Sequence, residues 1–187
     1  FPLGNQLGIG LDMYLGADNE IVKNIPTASL PQFIKDKMDS KFLVADGVKY
    51  WLFNRFFEED NHNFLAEIIS SGKIMYLMDA ILPNKSDAIK MGYTEEELSW
   101  CENSEVNIWE ILINEELLYS KDQKKIAQFT TNGPFTKGLP EESPSMVGVW
   151  MGWQMVRDYV AENDVSVLDL LAEKNVRKIL KSYNPNE

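Results

Sequence analysis

The chain has 187 residues and a formal net charge of −11, from 18 Lys and Arg against 29 Asp and Glu, with one His and one Cys. An apolar fraction of 44% and an aromatic fraction of 11% are those of a globular domain long enough to bury a core, and the expectation is one domain over 1–187. The acidic excess argues against nucleic acid and anionic membrane surfaces as partners, no run approaches the roughly 20 apolar residues that span a bilayer, and a single cysteine excludes an intrachain disulfide.

Residues 1–16 hold the best strand candidate, with Leu7, Ile9 and Leu11 alternating with small or polar residues before Asp12. Asn19 to Pro31 reads as loop, and Pro31 starts a short helix through Met38 with Lys35, Asp36 and Lys37 outward. Asp46 is placed to cap a helix through about Glu59 that buries Val48, Trp51, Leu52 and Phe56. The next helix runs from Phe64 to Leu82, broken or bent near Ser70-Ser71-Gly72, and Pro83-Asn84 stops it. Thr94 and Glu97 form a capping box that marks a helix continuing toward Leu118. Lys121 to Phe129 is another short helix, and a last one covers Ser166 to Lys181 with its basic end at the negative pole of the helix dipole. The fold class that follows is α+β, predominantly α-helical, with a small β element at the amino end.

The most informative stretch is GPFTKGLPEESPSMVGVWMGWQMVRDYV, residues 133–160. A turn-rich acidic loop runs into a helix start, where Ser143 is the expected cap and Pro144 suits the first helical position. Gly148 and Gly152 then follow four residues apart. Each costs a helix about 1 kcal/mol relative to Ala, a cost that points to another backbone lying close by. This helix is therefore expected to be central.

The inventory of reactive groups removes whole mechanisms. With His62 as the only histidine, no zinc site of two or three histidines can form within the chain. A Ser-His-Asp triad would have to use His62, which sits in the polar run Glu58-Glu59-Asp60-Asn61-His62-Asn63 and reads as a solvated turn. No glycine-rich phosphate loop is present, and Asp12, Asp18 and Glu20 match no established calcium loop. Cys101, among acidic neighbours on a helix, reads as a buried structural thiol. No cofactor or metal is expected. Carboxylates leave one catalytic option, a pair from Glu141 and Glu142 facing Asp12 or Glu67. The tryptophans sit at helical spacings that mostly mean core, but Trp150 and Trp153 share a face beside the loop and are candidate ligand contacts with Tyr76.

Several segments together resemble the gliding-motility lipoprotein GldB and its relatives in bacterial cell envelopes. They are IGLDMYLG at 9–16, the stretch at 25–50, FLAEIISSGKIMYLMDAILPN at 64–84, the stretch at 89–120, residues 129–160 and the helix VSVLDLLAEKNVRKIL. They cover nearly the whole chain in order, and family members are longer at the amino end, so the chain looks like the carboxyl-terminal part of one. The resemblance implies an envelope lipoprotein, facing the periplasm or the surface. It would be held by a lipid anchor outside this chain and have envelope proteins of a motility or secretion apparatus as partners. The family is in turn distantly similar to zincin-like helical proteases with an HExxH helix and a later glutamate before glycine. Here HExxH is absent and Ser71 stands before Gly72, which implies a protease scaffold without its metal site. The alternatives are a carboxylate hydrolase, or a pseudo-enzyme that holds a peptide or glycan.

Overall fold

The computed structural model describes residues 2–3, 6–57 and 63–185. His62 and most of its polar run, Glu58 to Asn61, lie outside the described residues. The described chain is predominantly helical. Its β element is a minimal antiparallel pair, β1 (Pro2–Leu3) with β2 (Gln6–Leu7). The expected strand stops there: a 3-10 turn over Leu11–Tyr14 takes up the rest of the segment.

Ten α-helices follow among the described residues. They are α1 (Glu20–Asn24), α2 (Gln32–Lys35), α3 (Leu43–Phe56), α4 (Phe64–Ile81), α5 (Asp87–Met91), α6 (Glu95–Asn114), α7 (Gln123–Thr130), α8 (Val147–Asn163), α9 (Val167–Ala172) and α10 (Val176–Ser182). Helix α1 lies in the expected loop, started by Asn19, whose side chain accepts the Ile21 N–H. The Thr94–Glu97 capping box forms with both of its hydrogen bonds, at 3.1 and 2.7 Å. One helix was expected over 166–181, but two form. The Asn175 side chain accepts from the N–H groups of Arg177 and Lys178 and so starts α10 separately from α9.

The trunk of the fold is the pair α4 and α8, its most extensive helix contact. Helix α4 runs unbroken through Ser70-Ser71-Gly72, contrary to the expected bend. Gly72 is a contact instead of a break. A methyl group added at Gly72 would collide with the backbone carbonyl of Gly152, and one at Gly152 with the carbonyl of Ile68. Gly148 is equally confined, 2.9 Å from its notional Cβ to the Phe129 carbonyl. Gly72 and Gly152 thus bring the main chains of α4 and α8 to near-touching distance, Gly148 does the same for α8 and the end of α7, and the dispersion gained over these contacts offsets their propensity cost. Ile68, Ile69, Met75, Met151, Met155 and Val156, all fully buried, surround this seam.

Two other expectations change here. Asp46 does not cap α3; a 3-10 turn at Ser40–Phe42 starts the helix earlier and leaves Asp46 in its first turn. On the same helix Leu52 is buried, but Trp51 and Phe56 are 37% and 41% exposed and pack edge-to-face on each other, 6.3 Å apart. Lys35, expected outward, is buried because its ammonium turns back to the Ile25 carbonyl at 2.5 Å, near the end of α1.

Candidate functional site

Helix α8 begins without the cap the sequence suggests. Ser143 is buried, and its hydroxyl finds no hydrogen-bond partner among the described residues. Pro144 stays in the loop. The residue before the helix is Met146, held in the left-handed region at φ +63°. The first-turn N–H of Val147 goes instead to the Thr136 hydroxyl at 3.3 Å, which in turn donates to the Pro144 carbonyl at 2.7 Å. Ser145 fixes the loop on two sides: its carbonyl accepts the buried Tyr93 hydroxyl at 2.5 Å, and its own hydroxyl donates to Asn132 Oδ1 at 3.1 Å.

Met146 and Asn132 form one wall of a cleft of about 340 Å³. The 3-10 turn supplies Met13 and Tyr14 to it, the end of α2 and the turn after it supply Ile34 and Lys37, and α3 supplies Asp46 and Lys49. Lys37 donates to neutral oxygens only among the described residues, Asn132 Oδ1 at 3.2 Å and Ser145 Oγ at 3.5 Å, and lies 5.9 Å above the Tyr93 ring. Burial holds its pKa below the ordinary lysine value, although Glu97 and Asp46 pull the other way. Lys49, its side chain 16% exposed, pairs with Asp46 at 3.6 Å. It also donates to the Lys90 and Met91 carbonyls at 2.9 and 3.3 Å. Those carbonyls end α5, where Gly92 at φ +80° turns the chain away and leaves them without helical partners. Burial lowers the pKa of Lys49 too; Asp46 opposes the shift and the charge of Lys37 adds to it. Asp46 also accepts the Tyr14 hydroxyl at 3.2 Å. Burial first, then the Asp46 charge and this hydrogen bond, push the Tyr14 phenol up to about 12. The cleft therefore holds two poorly hydrated ammonium groups and one lining carboxylate.

A second charged cluster sits farther along α8. Asp79 accepts from Trp153 Nε1 at 3.0 Å, from Arg157 Nε at 3.0 Å and from Lys90 at 2.6 Å. Asp87 accepts from both Arg157 amino groups, at 2.6 and 3.0 Å, and from Lys90 at 3.3 Å. The Arg157 guanidinium stacks 3.8 Å from the Trp153 ring centre. Burial alone would raise the Asp87 pKa, but Arg157 and Lys90 outweigh it and hold the carboxyl below its usual range. Two cations against two carboxylates, with bidentate geometry, make a closed structural network.

The six sequence-derived candidates do not converge. Asp12 is exposed in the 3-10 turn, and Glu141 and Glu142 are exposed in the loop. Tyr76 is half-buried on α4. Trp150 and Trp153 are 2% and 0% exposed, so in this structure they offer no face to a ligand. None of the six lines the Lys37–Lys49 cleft. Cys101 is buried, as expected, and its thiol is pushed far up by burial and then by Glu97 and Glu102. Among the described residues no group of His, Cys, Asp and Glu is arranged to hold a metal, and no helix is long and apolar enough to cross a membrane. Sequence reasoning passed over Tyr14, Lys37, Asp46 and Lys49. The one local signal is the i, i+3 pair Asp46–Lys49 in the otherwise apolar first half of α3.

The family model described as Gliding motility protein GldB matches residues 3–185 of the chain. No curated protein and no solved structure matches it.

Proposed function

The chain belongs to the gliding motility protein GldB family, and from that premise we propose that it is a non-catalytic domain of a cell-envelope lipoprotein. A lipid anchor outside these residues holds it at the membrane. It supports surface motility, or protein secretion linked to it, by binding other envelope proteins. The observation that carries this reading is the extent of the family match, residues 3–185, which takes in the whole trunk and every wall of the cleft. Two features support it. The half-buried carboxylates Asp79 and Asp87 are committed to Arg157, Lys90 and Trp153, an arrangement suited to rigidity. The loop carrying Glu141 and Glu142 is tied to α8 through Thr136 and presents those two side chains to solvent.

The test is genetic and biochemical together. Removing the gene from its native host is expected to abolish or impair motility or surface-protein display, with recovery on complementation by the full-length gene. Cross-linking in intact cells is expected to join the protein to other envelope proteins. Motility, secretion and surface display that all stay unchanged after deletion would defeat the proposal.

A further inference from the structure

The Lys37–Lys49 cleft continues beyond its polar walls. A second hollow of about 740 Å³ lies between the segment 7–14 and the outer face of α3. It shares Met13, Tyr14, Asp46, Lys49 and Met146 with the first. Its other walls include Leu7, Ile9 and Phe53. The two hollows are one groove with chemically distinct ends. Gly47, in the middle of α3, allows the segment to lie so near: a Cβ there would be 3.1 Å from Ile9 Cδ1 and 3.6 Å from Leu7 Cδ2. A glycine inside an α-helix is costly, and here its bare backbone forms part of the channel floor.

We infer that this groove binds a single-chain amphiphile, with an anionic carboxylate or phosphate head beside Lys37 and Lys49 and its chain along Leu7, Ile9 and Phe53. Three observations carry this. The polar end has two ammonium groups against the single lining carboxylate, Asp46, which already serves Lys49 and Tyr14. Glu97 also acts on Lys37, but it is not among the lining residues, and its side chain is engaged by the Thr94 N–H in the capping box. An added anion restores charge balance where water is already scarce, which is where such pairing counts most. Second, the channel end is walled by Leu7, Ile9 and Phe53 together with Gly8, Gly10, Gly47 and Tyr50, a mostly apolar surface that an alkyl chain can cover without losing hydrogen bonds of its own. Third, the chain as a whole carries −11. A large acidic partner would be repelled by that surface, whereas a small anion enclosed beside two lysines would not. The size fits too, since pockets for small ligands run from about 300 to 1,000 Å³ and are mostly apolar with a few placed polar groups.

The experiment is calorimetric titration of the purified chain with decanoate, decyl phosphate, 1-decanol and inorganic phosphate. One molecule of decanoate or decyl phosphate is expected to bind per chain, at least tenfold more tightly than 1-decanol or inorganic phosphate. The preferred anion then distinguishes a fatty-acid head from a phosphate head. Lys37→Met is expected to weaken the preferred anion at least tenfold, with Lys37→Arg retaining most of the affinity. Gly47→Leu, which fills the channel, is expected to weaken the long-chain anions while circular dichroism shows the helical fold intact. Equal affinity for decanol and decanoate, undiminished binding by Lys37→Met, or phosphate binding as tightly as decyl phosphate would overturn the inference. These measurements use the isolated chain, so their failure is distinct from any failure of the motility reading, which is tested in cells.

Discussion

Helix α8 runs from an unfinished site to a finished one. Beside its start, Lys37 and Lys49 line an open cleft whose one lining carboxylate, Asp46, pairs with Lys49. Near its end, Lys90 and Arg157 meet Asp79 and Asp87 in a network with every charge answered. Both clusters are half-buried, and both draw on helices that pack against the same trunk. What separates them is balance. A two-against-two arrangement with bidentate geometry favours a fixed structure, while a two-against-one arrangement beside a hollow leaves attraction to spare for something that arrives later. Burial of charge alone therefore does not distinguish the two clusters; incomplete neutralisation next to open space does.

The largest expected effect tests the trunk between the two clusters. Gly152→Val places a branched side chain against the Ile68 carbonyl, which belongs to a helix backbone and cannot step aside. A loss of about 4 kcal/mol or more, or failure to fold, is expected, read by chemical denaturation. A loss below about 1 kcal/mol would show that the two helices separate easily. The next effect breaks the finished cluster. Arg157→Met leaves Asp79 and Asp87 facing each other with only Lys90 between them, and a loss of about 2 kcal/mol is expected after allowing for partial solvent screening. Acid titration sharpens the same point. Because the folded pKa of Asp87 is depressed, its contribution is fully present above the ordinary aspartate value of about 3.9 and disappears as pH falls through the lower folded value. Arg157→Met is expected to flatten that part of the stability-versus-pH curve.

The open cluster is expected to respond with the opposite sign. Lys37→Met removes a desolvated ammonium whose hydrogen-bond partners among the described residues are all neutral, so stability at neutral pH is expected to hold or rise by up to about 1 kcal/mol. A loss comparable to that of Arg157→Met would erase the distinction between the clusters. The smallest effect is at Ser143, whose buried hydroxyl has no hydrogen-bond partner among the described residues. Ser143→Ala is expected to raise stability by a few tenths to about 1 kcal/mol, visible as a small upward shift in Tm.

How much of this was legible in the sequence depends on the distance over which each signal acts. The capping box at Thr94 and Glu97 spans three residues and forms as read. Gly148 and Gly152 announced a close backbone, and one is there. Gly72 carried the same message but read as a bend, because its partner lies 80 positions away and nothing local distinguishes a contact from a break. The apolar face over 166–181 continues without a gap and so predicts one helix, while the local signs of two are Glu173 and Asn175, which close one helix and open the next. The predominantly helical class and the family were both readable from the chain as a whole. The cleft was not. Lys37 looked like part of a solvated face, and Tyr14, Asp46 and Lys49 converge on it only after three separate elements have packed. Trp150 and Trp153 stand out through their chemistry, whereas both are buried in the core, Trp153 with its indole N–H on Asp79.

The hydroxyl that receives the first N–H of α8 belongs to Thr136, eleven positions upstream. A helix start fastened this way cannot consolidate on local information. The excursion through residues 137–145 must first fold back, at an entropic cost that grows only slowly with its length. In kinetic terms the leading turn of the central helix waits for a loop to close, so lengthening that loop should delay the turn's formation more than it weakens the finished protein.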